Sequence, residues 1–274
     1  MRKIEGRVAV VTGAAGGIGR ETARLLAERG CAVALVDIAE DGVETLAGEL
    51  RARGHKVSTH VIDVADRGQM SRLPNAVIDE HGHVHIVVNN AGVALGQTLE
   101  ELSWEDIDWL VGINFWGVVH GCKFFLPSLL REDEGHIVNL SSMFGFAGLP
   151  SQGPYCATKA AIRSLSETLH GELAGTRVGV TSVHPGGIRT NIAHHGRFDD
   201  PDRRKSAVDL LERRGTPPER VAERIVAAIL GNRLRVVITP EAHVLDWAKR
   251  ILPVTTQRLL RRFWSQQVES EPTA

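Results

Sequence analysis

Short β-branched runs alternate with longer amphipathic stretches along most of the chain. The pattern predicts strands over Arg7–Thr12, Cys31–Asp37, Lys56–Ile62, His85–Asn89, His136–Leu140, Arg177–Val183 and Arg235–Thr239. The first, second and fourth are almost unbroken apolar runs, as expected of strands buried on both faces. Between them lie amphipathic segments such as Ile18–Arg29 and Asp41–Arg53, which end near Gly30 and Gly54, a common helix stop. Such alternation implies an α/β architecture: a doubly wound parallel sheet of about seven strands with helices on both faces. No repeat, linker or low-complexity tract divides it, so residues 1–240 are expected to form one domain.

The segment 241–274 breaks the pattern and reads as a helical extension. Leu245, Ala248, Ile251 and Leu252 recur at helical spacing beside Lys249 and Arg250, and Pro253 then interrupts. A second stretch sets Leu259, Leu260, Phe263 and Trp264 against Arg258, Arg261 and Arg262. This basic amphipathic pattern suits a membrane surface or a protein interface. Packing on its own domain or across a subunit interface is the preferred expectation.

Lysine and arginine (32) nearly balance aspartate and glutamate (33), leaving a net charge of -1. That balance lacks the broad basic field that nucleic-acid binding needs. Cys31, Cys122 and Cys156 are scattered and form no Cys-x-x-Cys pair, which suits a reducing cytoplasm and argues against a zinc site. Met1–Val11 carries no export signal, and no uncharged apolar run approaches the ~18 residues that span a bilayer. His81, His83 and His85 alternate into the fourth strand and are expected to diverge to opposite faces, not to converge on one metal ion. His194 and His195 read as solvated loop residues, and Cys156 as a small packing residue.

Candidate chemistry begins at the first strand–helix junction, Thr12-Gly13-Ala14-Ala15-Gly16-Gly17-Ile18-Gly19. Glycines let the backbone turn tightly and approach a pyrophosphate, and free N–H groups at a helix start attract its charge. Gly13, Gly17 and Gly19 are the anchors. Asp37 closes the second strand, where a carboxylate can accept hydrogen bonds from adenosine ribose hydroxyls and would repel a 2′-phosphate. No arginine stands at Gly16 or Ile38 to receive that phosphate, which favours NAD over NADP.

The only tyrosine, Tyr155, stands four residues before Lys159 on a predicted helix, so the two share a face. A phenol of pKa about 10 is a poor base at neutral pH. An ammonium about 4 Å away, at an effective dielectric of about 20, is worth roughly 4 kcal/mol, enough to bring the phenol within catalytic reach. Ser142 lies at the end of the fifth strand, on the side where parallel sheets bind ligands. Asn114 interrupts an otherwise apolar predicted helix, Ile107–Leu126, and needs buried partners there, catalytic or structural.

Together these motifs resemble the short-chain dehydrogenase/reductase family from Gly6 to about Thr239. The resemblance rests on T-G-x-x-x-G-I-G at Thr12–Gly19, Asp63-Val64, Asn89-Asn90-Ala91-Gly92, Asn114, Ser142, Tyr155-x-x-x-Lys159 and Pro185-Gly186. It implies a Rossmann-like fold with Tyr155 as acid/base, Ser142 orienting the substrate oxygen, and Lys159 tuning the tyrosine and binding the nicotinamide ribose. It further implies that Asn114 holds a relay water, that Asp63 and Val64 border the adenine, and that Asn89, Asn90, Ala91 and Gly92 support sheet and cofactor. Pro185 and Gly186 would lead to Ile188 and Thr190 at the carboxamide, and the family implies homodimers or homotetramers. His85 departs from the aspartate many members carry there, with an expected effect on packing only.

Val93, Ala94 and Leu95, with Met143, Phe144, Phe146 and Leu149, are expected to wall an apolar pocket under a polar lid at Asn191–Gly215. A lipophilic secondary alcohol or ketone, of steroid, terpenoid or acyl type, fits these walls. A 3-oxoacyl-thioester reductase or a polyol dehydrogenase are the enzymatic alternatives. An NAD-sensing scaffold or a peripheral lipid-binding protein are the others.

Overall fold

The computed structural model describes Met1–Glu269, with side chains as far as Arg262. Its main sheet contains β1 (Val8–Thr12), β2 (Ala32–Asp37), β3 (Val57–Val61), β4 (Ile86–Asn89), β6 (Gly135–Leu140), β7 (Val178–His184) and β9 (Arg235–Val237). All pair in parallel in the order β3-β2-β1-β4-β6-β7-β9. Every predicted strand is present, with ends moved by one or two residues.

Alternation along β1 explains how one strand serves two cores. Ala9 and Val11 join Val33, Leu35, Ile86 and Val88 on one face, while Val8 and Val10 join Ala34, Val36 and Val87 on the other. The first face is covered by α1 (Gly17–Glu28), α2 (Glu40–Ala52) and α8 (Pro218–Leu230). The second is covered by α3 (Arg67–His81), α5 (Gly117–Leu129) and α6 (Gly153–Glu172). The chain leaves β1 towards β2 and β3, then returns to β4 on the other side of β1. This reversal opens a crevice at the carboxyl ends of β1 and β4.

Two features depart from the predicted layout. The helix expected over Ile107–Leu126 is α4 (Trp104–Val111), a π-helical turn at Gly112–Trp116, and α5. By length and composition Trp104–Leu129 could also cross a membrane, with a mean hydropathy of 1.2, although no such stretch is evident from uncharged runs alone. Nearly half of its most apolar window, 44%, is buried, and the run packs against α3, α6 and β4 as a core helix. The second departure is a short pairing of β5 (Leu95–Gly96) with β8 (Arg197–Phe198), which joins the loop after β4 to the predicted lid.

The histidine expectation needs correction. Residues two apart on an extended chain point the same way, and His83 and His85 do: Nδ1 of His83 is 3.1 Å and Nε2 of His85 is 3.4 Å from the Glu132 carboxylate. His81 turns away to Ser58 (2.8 Å). The Val8 N–H donates to Nδ1 of His85 (3.2 Å), which leaves the imidazole proton on Nε2, facing Glu132. A cation placed there would have to displace that proton and leave an imidazolate. The trio is therefore a hydrogen-bonded cluster centred on Glu132.

The tail forms α9 (Pro240–Ile251) and α10 (Pro253–Glu269). It does pack on its own domain, but by its polar side. Both guanidinium nitrogens of Arg235 donate to Asp246 (2.9 and 2.7 Å), and Arg250 adds a third bond (3.0 Å). Burial alone would raise the Asp246 carboxyl; the bonds and charges of Arg235 and Arg250 outweigh it and hold the group below its ordinary value. Gln257 of α10 donates to the Gly148 carbonyl (2.8 Å). Leu245 and Ala248 are half-buried, whereas Ile251 and Leu252 of the same predicted stripe are exposed. The ion pair sets the rotation of α9, overriding its apolar periodicity. The side chains of Phe263 and Trp264 lie outside the described residues.

Candidate active site

At the crevice, Gly13 and Gly17 take positive φ values of 67° and 52°. A Cβ on Gly13 would approach Nδ2 of Asn90 to 2.7 Å, and one on Gly19 would meet the Gly13 carbonyl at 2.0 Å, so backbone fills the room a side chain would need. Gly16 caps α1 with no side-chain acceptor, which leaves the first N–H groups of the helix, including that of Ile18, available to an anion. Thr12, to which sequence reasoning assigned no role, and Asn90 lock this turn. Thr12 Oγ1 accepts from the N–H groups of Asn90 (3.0 Å) and Ala91 (3.1 Å), while Asn90 Nδ2 donates to the carbonyls of Thr12 (2.9 Å) and Gly13 (3.2 Å). Both belong to quoted motifs, which was the available signal.

Asn89, by contrast, turns into the core. Its amide donates to Asn139 (2.8 Å), whose own amide donates to Ser166 (3.0 Å). A Cβ on Gly121 would come within 1.9 Å of its Oδ1, so α5 packs directly on this asparagine. Asp37 ties the glycine loop to the turn after β2. Its oxygens accept from the N–H groups of Ala15 (2.9 Å) and Ala39 (3.1 Å), fastening the glycine loop to β2, and each oxygen retains a further lone pair. Asp63 accepts from Ala65 N–H (2.9 Å), and Val64 is buried against Gly117.

Across the crevice, Thr190 lies against Gly17, where an added Cβ would meet it at 2.9 Å. Ile188 is buried and bridges Thr216. The Pro185 carbonyl accepts from Met143 N–H (2.9 Å), and Gly186 is crowded by Thr239 and Glu241 at the start of α9.

The catalytic candidates meet at the ends of β4 and β6. Tyr155 stands in the first turn of α6 with its phenol beside Ser142, whose Oγ accepts from Phe144 N–H (3.1 Å). One turn on, Lys159 Nζ donates to the carbonyl of Leu140 (2.9 Å) and lies 5.7 Å from the Tyr155 ring centre. Asn114, at the middle of the π-helical turn and fully buried, accepts from Val93 N–H (2.8 Å) and donates to Val93 C=O (3.0 Å). The wider turn re-aims this one side chain out of the regular helical register. Gly92 completes the group: a Cβ there would lie 3.2 Å from Asn114 Oδ1 and 3.4 Å from Lys159 Nζ.

Electrostatics here run against the sequence expectation. Burial pushes the Tyr155 phenol up to about 12, against a smaller opposing effect of the Ser142 hydroxyl. Burial also pushes the Lys159 ammonium down to about 8. The ammonium lies 5.7 Å from the ring centre and donates to a carbonyl, and desolvation is the largest influence on both groups.

A stability test follows from the lysine. Below pH about 8 both the folded and the unfolded chain carry its charge, and the folded one bears the full cost of burying it. Between about 8 and 10.5 the folded chain sheds the proton first, and the cost fades as pH rises. Lys159→Met should therefore raise the urea midpoint near neutral pH, with the gain shrinking towards pH 10.5, while turnover falls. An unchanged midpoint at neutral pH would show that the buried ammonium carries no such cost.

Residues 7–200 match the family described as short chain dehydrogenase. The chain belongs to that family. SadH of Mycobacterium tuberculosis, named only as an oxidoreductase, is 38% identical over 264 residues, covering 95% of this chain and 96% of SadH. A short-chain dehydrogenase/reductase from Burkholderia phymatum, solved in complex with NAD, superposes with a TM-score of 0.83 at 31% identity, covering 100% of this chain and 99% of that one. The 3-oxoacyl-acyl-carrier-protein reductase FabG of Thermotoga maritima is 33% identical, covering 82% of this chain and 90% of FabG.

Around the candidate catalytic group of this short-chain dehydrogenase, the predicted walls divide. Phe144 sets its edge against Tyr155 (6.4 Å between ring centres). Phe146 stacks on His184 (4.6 Å) under the Arg235 guanidinium (4.7 Å) and so belongs to the scaffold. Leu149 lines an open groove of about 500 Å³ shared with Val254 and Arg258. The predicted lid segment is held to α4: Arg197 pairs with Asp106 (2.7 Å) and lies over the Trp109 ring (4.2 Å). His194 faces Glu212 (3.3 Å) and His195 is exposed.

Proposed function

We propose that this chain is an NAD-dependent dehydrogenase/reductase that interconverts a lipophilic secondary alcohol and its ketone. The observation that carries the reading is the convergence of Tyr155, Ser142, Lys159, Asn114 and Gly92 beside a glycine loop whose Gly13, Gly17 and Gly19 leave no room for a Cβ. The loop fits a dinucleotide: an uncapped helix start for the pyrophosphate at Gly13–Gly19, and Asp37 lone pairs for the ribose hydroxyls. Asp63 and Val64 would border the adenine; Ile188 and Thr190 would flank the nicotinamide. NAD supplies the hydride acceptor.

Ser142 holds the substrate oxygen by its hydroxyl, and Tyr155 takes the alcohol proton in oxidation or returns it in reduction. The Lys159 ammonium stabilises the phenolate while oxidation proceeds. With the phenol held up near 12 in the free protein, it is the proton donor at rest, and its use as a base depends on Lys159 and on positive charge brought in with the oxidised nicotinamide. Phe144, Met143 and Val93 provide the apolar contacts for the substrate body.

A second reading, reduction of a 3-oxoacyl thioester, is favoured by the Thermotoga relative. A turnover panel separates the two. Lipophilic secondary alcohols with NAD should exceed short polyols, and 3-oxoacyl thioesters with NADPH, by at least about tenfold in kcat/KM. Best turnover on the thioester would replace the alcohol reading with the reductase one.

A further inference from the structure

Helix α9 is turned inside out relative to the usual amphipathic rule. Its buried positions are Ala242 and the charged Asp246, held by Arg235 at the sheet edge. Its apolar positions Val244, Trp247 and Ile251 recur at i, i+3 and i+7 on the opposite face, with exposures of 68%, 61% and 67%. The exposed apolar surface continues through Leu252 and, across the Pro253 break, to Val254. A contiguous apolar surface rimmed by charge marks a contact site.

The charge beside it identifies the partner. From Trp247 to Arg262 the chain carries Lys249, Arg250, Arg258, Arg261 and Arg262 and not one aspartate or glutamate, in a protein whose overall charge is -1. A second copy joined through this face by two-fold symmetry would set the same cations against themselves. An anionic surface meets no such repulsion. An indole beside aliphatic side chains and flanking cations is the combination that settles at the boundary between lipid headgroups and acyl chains.

We propose that the outer face of α9, with the first turns of α10, docks the protein on an anionic lipid bilayer. The docked face adjoins the loop Gly148–Pro150, to which α10 is tied by the Gln257–Gly148 bond, and this loop runs directly into the Tyr155 helix. Docking would set that side of the catalytic group next to the membrane surface.

The test is sedimentation of the full-length protein with vesicles of phosphatidylcholine, pure or with about 30 mol % phosphatidylglycerol. The protein should pellet with the anionic vesicles at about 50 mM salt, stay in solution with the neutral ones, and be released at about 500 mM. Trp247→Ser with Ile251→Ser should lower the bound fraction roughly tenfold or more without altering the melting temperature or dehydrogenase turnover in solution, since both side chains face outward. Arg258→Glu with Arg262→Glu should abolish binding. Full-length protein that stays in the supernatant at low salt overturns the proposal, as does a serine variant that binds like wild type. So does light scattering that shows this face joining two copies, with the serine variant dissociating them.

Discussion

Tyr155→Phe is expected to lower turnover by about 10² or more while leaving NADH affinity nearly unchanged. The phenol lies beside Ser142 and within a helical turn of a buried ammonium. The ring's packing against Phe144 survives the substitution, so the loss isolates proton transfer. Because Tyr155 is the only tyrosine, ultraviolet difference titration of the whole protein reads its ionisation directly. In the free protein it should ionise well above the ordinary phenol value, as burial dictates, and move downward when NAD is added. A variant that keeps more than about a third of wild-type turnover would remove Tyr155 from the acid/base role.

The second large effect concerns cofactor choice. Wild type is expected to prefer NAD over NADP by about 10² or more in kcat/KM, because a phosphate near Asp37 would meet a like charge at short range. Asp37→Ala with Ile38→Arg should narrow or reverse that ratio, by removing the repulsion and supplying a guanidinium for the phosphate. Ile38 is 69% exposed, so the arginine can be accommodated. The same change deletes the acceptor for the Ala15 and Ala39 N–H groups. Efficiency with both cofactors should therefore fall even as the ratio shifts. Equal or better efficiency of the wild type on NADP would refute the role given to Asp37.

Much of the site was legible because its signals are local. Gly13, Gly17 and Gly19 fall within one turn, and Tyr155 and Lys159 within one helical repeat, where spacing alone dictates which groups share a face. Thr12 escaped assignment because its work, accepting from Asn90, is done across 78 residues of chain. Asn114 was recognisable as an anomaly, but a π-helical turn has no simple sequence signature, and its clamp on Val93 is visible only in three dimensions. The pairing of β5 with β8 likewise joins two dipeptides too short to carry a period.

Periodicity by itself determined the parallel sheet, its double-faced burial and the glycine turn, because apolar runs and backbone freedom act through neighbours in the chain. Tertiary structure decided the rest. The Tyr155 phenol rises where a neighbouring lysine was expected to lower it, since desolvation sums over everything packed around a group and a pairwise estimate does not. His83 and His85 come together on Glu132 because α5 ends beside the start of β4. Helix α9 turns Asp246 inward to Arg235 on the sheet edge and leaves Val244, Trp247 and Ile251 to solvent, a choice its own spacing does not contain. Amphipathic spacing says that a helix has two faces; only its long-range partners choose which one is turned inward.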